Sequence, residues 1–297
     1  MSKNKTVLGY FLVIASAVLY GSMGLLATLI YKEGVTPFSL VFLRNILSLP
    51  LLAIAATVSG KSLKINPRAL PSIGGIAVVG CCVTPLLLYI SYNSIGTGLT
   101  TVFHFVYPAI VTVLSLIFLK SKFKLANLVS LIICIAGIVT IFIFNSTDGN
   151  ISTSGSIPAL SSGLTYAIYI LGLSGFKYKE ISGFVFNFFG AAFCSVASLI
   201  ACICTGNMKL PSTLGGWALC VLFALICNVG AAVLFQSGTR LIGGERASIL
   251  SAFEPITGVI IGIAFLGESG GWSTAVGTAL VVVSCVMIAL SDMKKKN

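Results

Sequence analysis

"HFVYPAIVTVLSLIFLKS" (residues 104–121) and "SAFEPITGVIIGIAFLGE" (residues 251–268) align without gaps at an offset of 147 residues. Pro108 falls on Pro255, "FL" at 118–119 on "FL" at 265–266, and Tyr107 on Glu254. The flanks differ. "KSKFK" (120–124) follows the first copy with three lysines, whereas "GESGG" (267–271) follows the second with none. Two copies of one apolar segment with opposite flanking charge suggest a segment that crosses a bilayer in opposite directions.

The composition supports that setting. Hydrophobic residues make up 57% of the 297 and charged residues 8%, with mean hydropathy +1.07. A soluble domain carries about 25% charged residues. Uncharged stretches at 69–119, 181–208, 210–239 and 269–291 each exceed the roughly 20 residues a helix needs to cross a bilayer. The first apolar run, about Val7 to Ile30, is too long for a signal h-region and has no A-x-A-like cleavage site. The nine cysteines and single histidine show no metal-ligand spacing. The net charge of +11 comes from short clusters between apolar runs, which fits a membrane partner rather than nucleic acid.

Turn signals and charges predict ten spans, roughly 7–30, 37–59, 70–92, 98–119, 125–144, 156–175, 181–204, 215–238, 246–266 and 272–291. With the N-terminus inside, every Lys and Arg except Lys32, Lys209 and Arg44 falls on an inner segment. The positive-inside rule then puts both termini in the cytoplasm, and the expected location is the plasma membrane. The 147-residue offset also relates "YKE" at 31–33 to "YKE" at 178–180 and Ile95-Gly96 to Ile242-Gly243, and Tyr20 lies 146 residues before Tyr166. Five spans per half is an odd number, so the second half must be inverted. The predicted fold is an all-α polytopic membrane protein of ten transmembrane helices. They form two inverted five-helix repeats, residues 1–150 and 151–297. Such repeats characterise secondary transporters, with the substrate site near the midplane.

"ASAVLYGSMGLLA", "FLRNILSLPLLA" and "ASILSAFEPITGVIIGIAFLGE" resemble the drug/metabolite transporter superfamily in its ten-helix EamA-type form, over nearly the whole chain. The resemblance implies a transporter with a central cavity. Members carry amino acids, nucleotide-conjugated sugars, organic cations and other metabolites, so the substrate stays open. "LKS" where the second half has "LGE" is a departure.

Of the seven acids only Glu254 lies deep, about eight residues or 12 Å into its predicted span. A charge there costs at least about 2.5 kcal/mol, so Glu254 is expected to face a wet cavity or stay protonated. Thr100, His104, Tyr107 and Val111 form one helical stripe, which the offset carries onto Ala247, Ser251, Glu254 and Gly258. Pro108 and Pro255 free the carbonyls of His104 and Ser251 and predict helix kinks. The expected substrate-binding residues are Glu254, His104, Tyr107, Ser251, Tyr20, Tyr166, Tyr89 and Arg44, with Glu254 and His104 as candidates for proton coupling. Each has a bland reading: a protonated interhelical glutamate, a core histidine, a snorkelling Arg44, packing tyrosines. Gly258 and Gly262 form a GxxxG read as packing within the fold.

The expected function is secondary transport of a small polar metabolite by alternating access. An amino acid or related amine is ranked first, with protons as a coupling ion; organic cations, quaternary amines or drugs are the alternative, and a pore-type channel stands behind them. Neither cofactor nor enzymatic activity is expected, and no P-loop occurs. The oligomeric expectation is a monomer or homodimer.

Overall fold

The computed structural model describes residues 3–118, 125–146, 152–175, 177, 181–242, 247 and 250–293. The expectations placed on "KSKFK", the second "YKE" and Gly243 lie outside them. The described residues form α1 (Lys5–Lys32), α2 (Pro37–Val58), α3 (Pro67–Ile95), α4 (Thr97–Phe118), α5 (Leu125–Ser146), α6 (Thr153–Ser174), α7 (Gly183–Thr205), α8 (Leu214–Thr239), α9 (Phe253–Leu266) and α10 (Trp272–Met293). Among the described residues, seven helices are long and apolar enough to cross a membrane, and shorter apolar stretches lie in α5, α9 and α10. The chain is a polytopic membrane protein.

Local chemistry sets the helix ends. Thr36, Ser152, Ser182 and Thr213 accept the N–H groups of Ser39, Gly155, Val185 and Gly216 at the starts of α2, α6, α7 and α8. Gly206 and Gly267 adopt left-handed φ values of 66° and 69° where α7 and α9 stop.

The packing returns the repeat. α1 packs on α8 and α9, and α6 packs on α3 and α4; α2 pairs with α7, α4 with α9 and α5 with α10. Exchanging each helix for the one five places along leaves this set of pairs unchanged, as a two-fold relation between the halves requires. Lipid tails give apolar helices no hydrophobic reason to associate, so close approach must supply the packing energy. α5 and α10 achieve it through Gly137 and Gly277. A Cβ on Gly277 would lie 2.7 Å from the Gly137 carbonyl oxygen and would overlap Ile141.

Among the described residues, two pairs of irregularities related by the repeat interrupt this frame. α3 widens into a π-turn at Val78–Val83, and α8 does so at Ala224–Gly230. The same offset relates the two. Pro85 accounts for the first, because it cannot donate to the Cys81 carbonyl, which instead receives the Asn45 amide at 3.4 Å. Ala232 stands at the matching place in α8, so the second turn has no proline behind it. α4 breaks at Phe105–Val106 and the ninth span breaks at Ser251–Ala252.

These breaks correct one sequence expectation. The ninth span is not one helix over 246–266: α9 begins at Phe253, which puts Glu254 in a first turn. Pro108 and Pro255 likewise fall in the first turns of new helical segments. There the absent N–H is one that no carbonyl of that segment awaits, so the chain restarts its helix instead of kinking one.

Candidate functional site

The two restarts are near each other: Tyr107, beside Pro108, is within electrostatic reach of Glu254, beside Pro255. Glu254, Tyr20, Tyr107 and Tyr166 are each only partly buried, although protein surrounds each of them. Partial exposure inside a dense protein shell describes side chains around an internal space. Tyr20, Tyr92, Tyr107, Tyr166 and Cys227 lie within electrostatic reach of Glu254. Among the described residues, nothing hydrogen-bonds or ion-pairs with the Glu254 carboxyl group. Its position in the first turn of α9 sets it at the positive end of that helix dipole.

An aromatic wall stands beside it. The Tyr107 and Tyr166 rings meet edge to face at 4.7 Å, and Tyr166 stacks on Tyr169 at 5.6 Å. Tyr169 reaches this place because Gly80, in the π-turn of α3, leaves room for its ring. α1 can approach α9 because a Cβ on Gly21 would lie only 2.7 Å from the Glu254 carbonyl oxygen.

Arg44 lies in the protein interior. It donates from Nη1 to the Tyr89 hydroxyl at 2.6 Å, and its guanidinium carbon sits 5.9 Å from that ring's centre. It therefore does not snorkel to the surface. Both π-turns reach this stretch of α2: the side chain of the next residue, Asn45, donates to the Cys81 carbonyl in the turn of α3, and Asn228, in the turn of α8, donates to the Arg44 carbonyl at 3.0 Å. Tyr20 and Cys227 are within reach of Arg44 and of Glu254 alike, so the base and the acid flank the same two side chains. Among the described residues no ion pair joins them.

Other expected residues stand back from this space. Tyr89 is fully buried and meets Arg44 instead. His104 is buried, with its Nδ1 2.9 Å from the Ser162 hydroxyl. That hydroxyl spends its proton on the Ala159 carbonyl at 2.5 Å, so Nδ1–H is the donor and Nε2 keeps the lone pair. Among the described residues no contact links His104 directly to Glu254; it touches the Tyr107 and Tyr166 rings at 5.5 and 5.2 Å. Ser251 donates to its own helix, at the Ala247 carbonyl. The Gly258–Gly262 face lies inside the fold, where Gly258 meets Thr101 and Gly262 meets Glu268. Among the described residues no group of three His, Cys, Asp or Glu could hold a metal ion.

Sequence reasoning missed Asn228 and the two π-turns. The signal was present: the 147-residue offset pairs Cys81 with Asn228, an amide in the otherwise apolar run "ALICNVG".

Comparison with known proteins agrees with this architecture. Over its whole length the chain shares its fold with a crystal structure of a protein 15% identical to it, at a TM-score of 0.65 and covering 100% of that chain. It is 23% identical to an uncharacterized transporter of Clostridium kluyveri, over 97% of this chain and 95% of that one. It is 24% identical to the uncharacterized transporter YwfM of Bacillus subtilis, over 96% and 95%. An uncharacterized inner membrane transporter of Salmonella typhimurium, YicL, is 22% identical over 97% of each. The sequence model of the EamA-like transporter family matches residues 7–143 and 153–290. Those two segments, one per five-helix half, together span nearly all of the chain, and the protein belongs to the EamA-like transporter family.

Proposed function

We propose that this transporter carries an amino acid or a related amine by alternating access, in the plasma membrane with both termini cytoplasmic. One observation carries the reading: a base, Arg44, and an acid, Glu254, lie in the membrane interior within reach of the same two side chains, Tyr20 and Cys227, without pairing to each other. Charged groups at that depth are costly and normally pair. A zwitterion supplies both missing partners, with a carboxylate for Arg44 and an ammonium for Glu254. Glu254 can also take up a proton when the solute leaves, which gives proton coupling a physical route. Single-residue machinery of this kind suits a carrier better than an enzyme or an open pore.

The wall of Tyr107, Tyr166 and Tyr169 favours a second reading, an organic or quaternary ammonium ion held over aromatic faces beside Glu254. That reading leaves Arg44 without an anionic partner. Purified protein in proteoliposomes separates the two. Amino acids are expected to show saturable uptake with trans-stimulation, and amines lacking a carboxylate are expected to bind more weakly. Tight binding of such amines with indifference to amino acids would support the second reading and overturn the first. Uptake that neither saturates nor shows trans-stimulation would mark a pore.

A further inference from the structure

α3 and α6 meet in a fixed register. Gly172 of α6 faces Ile76 of α3, the Tyr169 ring faces Gly80, and the Thr165 hydroxyl lies 2.7 Å from that of Thr84. Each contact is three or four residues from the next on both helices, so the three form one line along the seam. The middle contact is the tightest. A Cβ on Gly172 would lie 3.1 Å from Ile76, whereas one on the buried Gly80, in the π-turn, would overlap Cγ and Cδ2 of the Tyr169 ring. The helices are tied one turn away: the Thr84 hydroxyl faces Thr165 and also donates to the Val79 carbonyl of the π-turn at 2.9 Å. A side chain at residue 80 must therefore displace the ring.

The other neighbours of Tyr169 say what the ring borders. It is only partly buried although protein surrounds it, the combination that also marks Glu254, Tyr20, Tyr107 and Tyr166. Its ring stacks on Tyr166 at 5.6 Å, its hydroxyl meets the Cys81 thiol, and Tyr20 is within electrostatic reach. Cys81 is in turn within reach of Arg44, and Tyr166 of Glu254. Tyr169 thus touches one neighbour of the base and one neighbour of the acid. The repeat gives the same orientation independently. The 147-residue offset carries Gly80 onto Cys227 in the π-turn of α8, and the Cys227 side chain is within reach of both Arg44 and Glu254. By the two-fold relation, a side chain at this register points toward the internal space, and in α3 the Tyr169 ring takes the place of one.

We propose that Tyr169 determines the bulk of the solute side chain that the transporter accepts, and that Gly80 is its positioning residue. The missing side chain at residue 80 lets the ring sit back against α3, and the space in front of the ring takes the side chain of the solute. This rests on reading the internal space as the solute site, and it holds for an amino acid and for an amine alike.

The test is equilibrium binding of two probe pairs to the purified full-length chain. Alanine and phenylalanine form one pair, and their decarboxylated counterparts, ethylamine and phenethylamine, the other. The quantity read is the small-to-bulky affinity ratio within each variant, which a loss of folded protein does not move. Gly80→Ala should shift the ratio toward the small probe by about tenfold or more, the scale of overpacking by a methyl group. Tyr169→Ala should shift it toward the bulky probe. Adding Gly80→Ala to Tyr169→Ala should then change nothing further, since no ring remains to be displaced. Gly75→Ala, with open space around its Cβ, should keep the wild-type ratio. Tyr169→Trp serves where Gly80→Ala does not fold, and its larger ring should shift the ratio the same way. A ratio unmoved by Tyr169→Ala and by Gly80→Ala or Tyr169→Trp would overturn the proposal and leave the Gly80–Tyr169 contact as helix packing. So would a Gly80→Ala effect that persists undiminished without the ring. Binding of the amine pair alone, with the ratio shifting as expected, would remove the amino-acid reading and keep this one. Wild-type protein that binds none of the four would remove both.

Discussion

The Glu268 carboxylate, just beyond the end of α9, grips the start of α4. Oε1 accepts the backbone N–H of Thr97 at 2.5 Å and its hydroxyl at 2.9 Å, and Oε2 accepts the N–H of Gly98 at 2.9 Å. An acid from the second repeat thus caps a helix of the first, satisfying N–H groups that the helix cannot satisfy itself. Gly96, Gly98 and Gly262 lie so close to the carboxylate that a side chain on any of them would crowd it.

Replacing Glu268 with alanine should therefore cost stability. Each N–H left unsatisfied costs about 1–3 kcal/mol, less where water can reach it. Glu268→Ala is expected to unfold at a clearly lower temperature in detergent, and Glu268→Gln, which keeps one acceptor, at an intermediate one. An alanine variant as stable as wild type would mean that the cap contributes nothing.

The contact between α5 and α10 makes a steric prediction. Gly277→Ala places a methyl group against Ile141 and 2.7 Å from the Gly137 carbonyl. Overpacking of this kind costs about 1–3 kcal/mol. The variant should melt earlier than wild type, whereas Gly75→Ala, with open space around its Cβ, should not. Equal melting of the two variants would show that the helices do not pack this closely.

Pro108→Ala and Pro255→Ala should leave membrane insertion intact, since neighbouring groups and water can satisfy the backbone there. Transport rates should fall. The loss arises as each restart smooths into a continuous helix and Tyr107 or Glu254 shifts in depth. Normal rates in both variants would remove any working role for the prolines.

Topology can be checked directly. Single cysteines placed in 267–271 should react with a membrane-impermeant reagent from outside the cell, and cysteines in 120–124 or at the C-terminus should react only from inside. Both loops labelling from one side would contradict the inverted repeat.

Glu254→Gln keeps the side chain's shape but can neither ionise nor release a proton. The variant should fold normally and lose affinity for cationic solutes by about 1.5–3 kcal/mol, the worth of a hydrogen bond to a charged group. A pH gradient should no longer drive accumulation, while solute-for-solute exchange persists. Normal affinity together with a normal pH response would make Glu254 a structural residue.

Hydropathy and charge by themselves marked the chain as an all-helical polytopic membrane protein and predicted ten crossings in two inverted halves, because a bilayer imposes length and polarity on each segment independently of its neighbours. The 147-residue offset likewise marked Tyr107 and Glu254 as related positions before any coordinates. Three things were decided only by tertiary structure. The helix restarts at Phe253 and Tyr107 depend on how the breaks are satisfied by packed neighbours, which a proline alone does not specify. Arg44 could have snorkelled on the same sequence; Tyr89, 45 residues away, holds it inside. Asn228 reads as one amide in a greasy run until the fold brings it 3.0 Å from the Arg44 carbonyl, 184 residues away in sequence. Contacts at that separation follow from how two repeats interlock, and no local pattern in the chain encodes them.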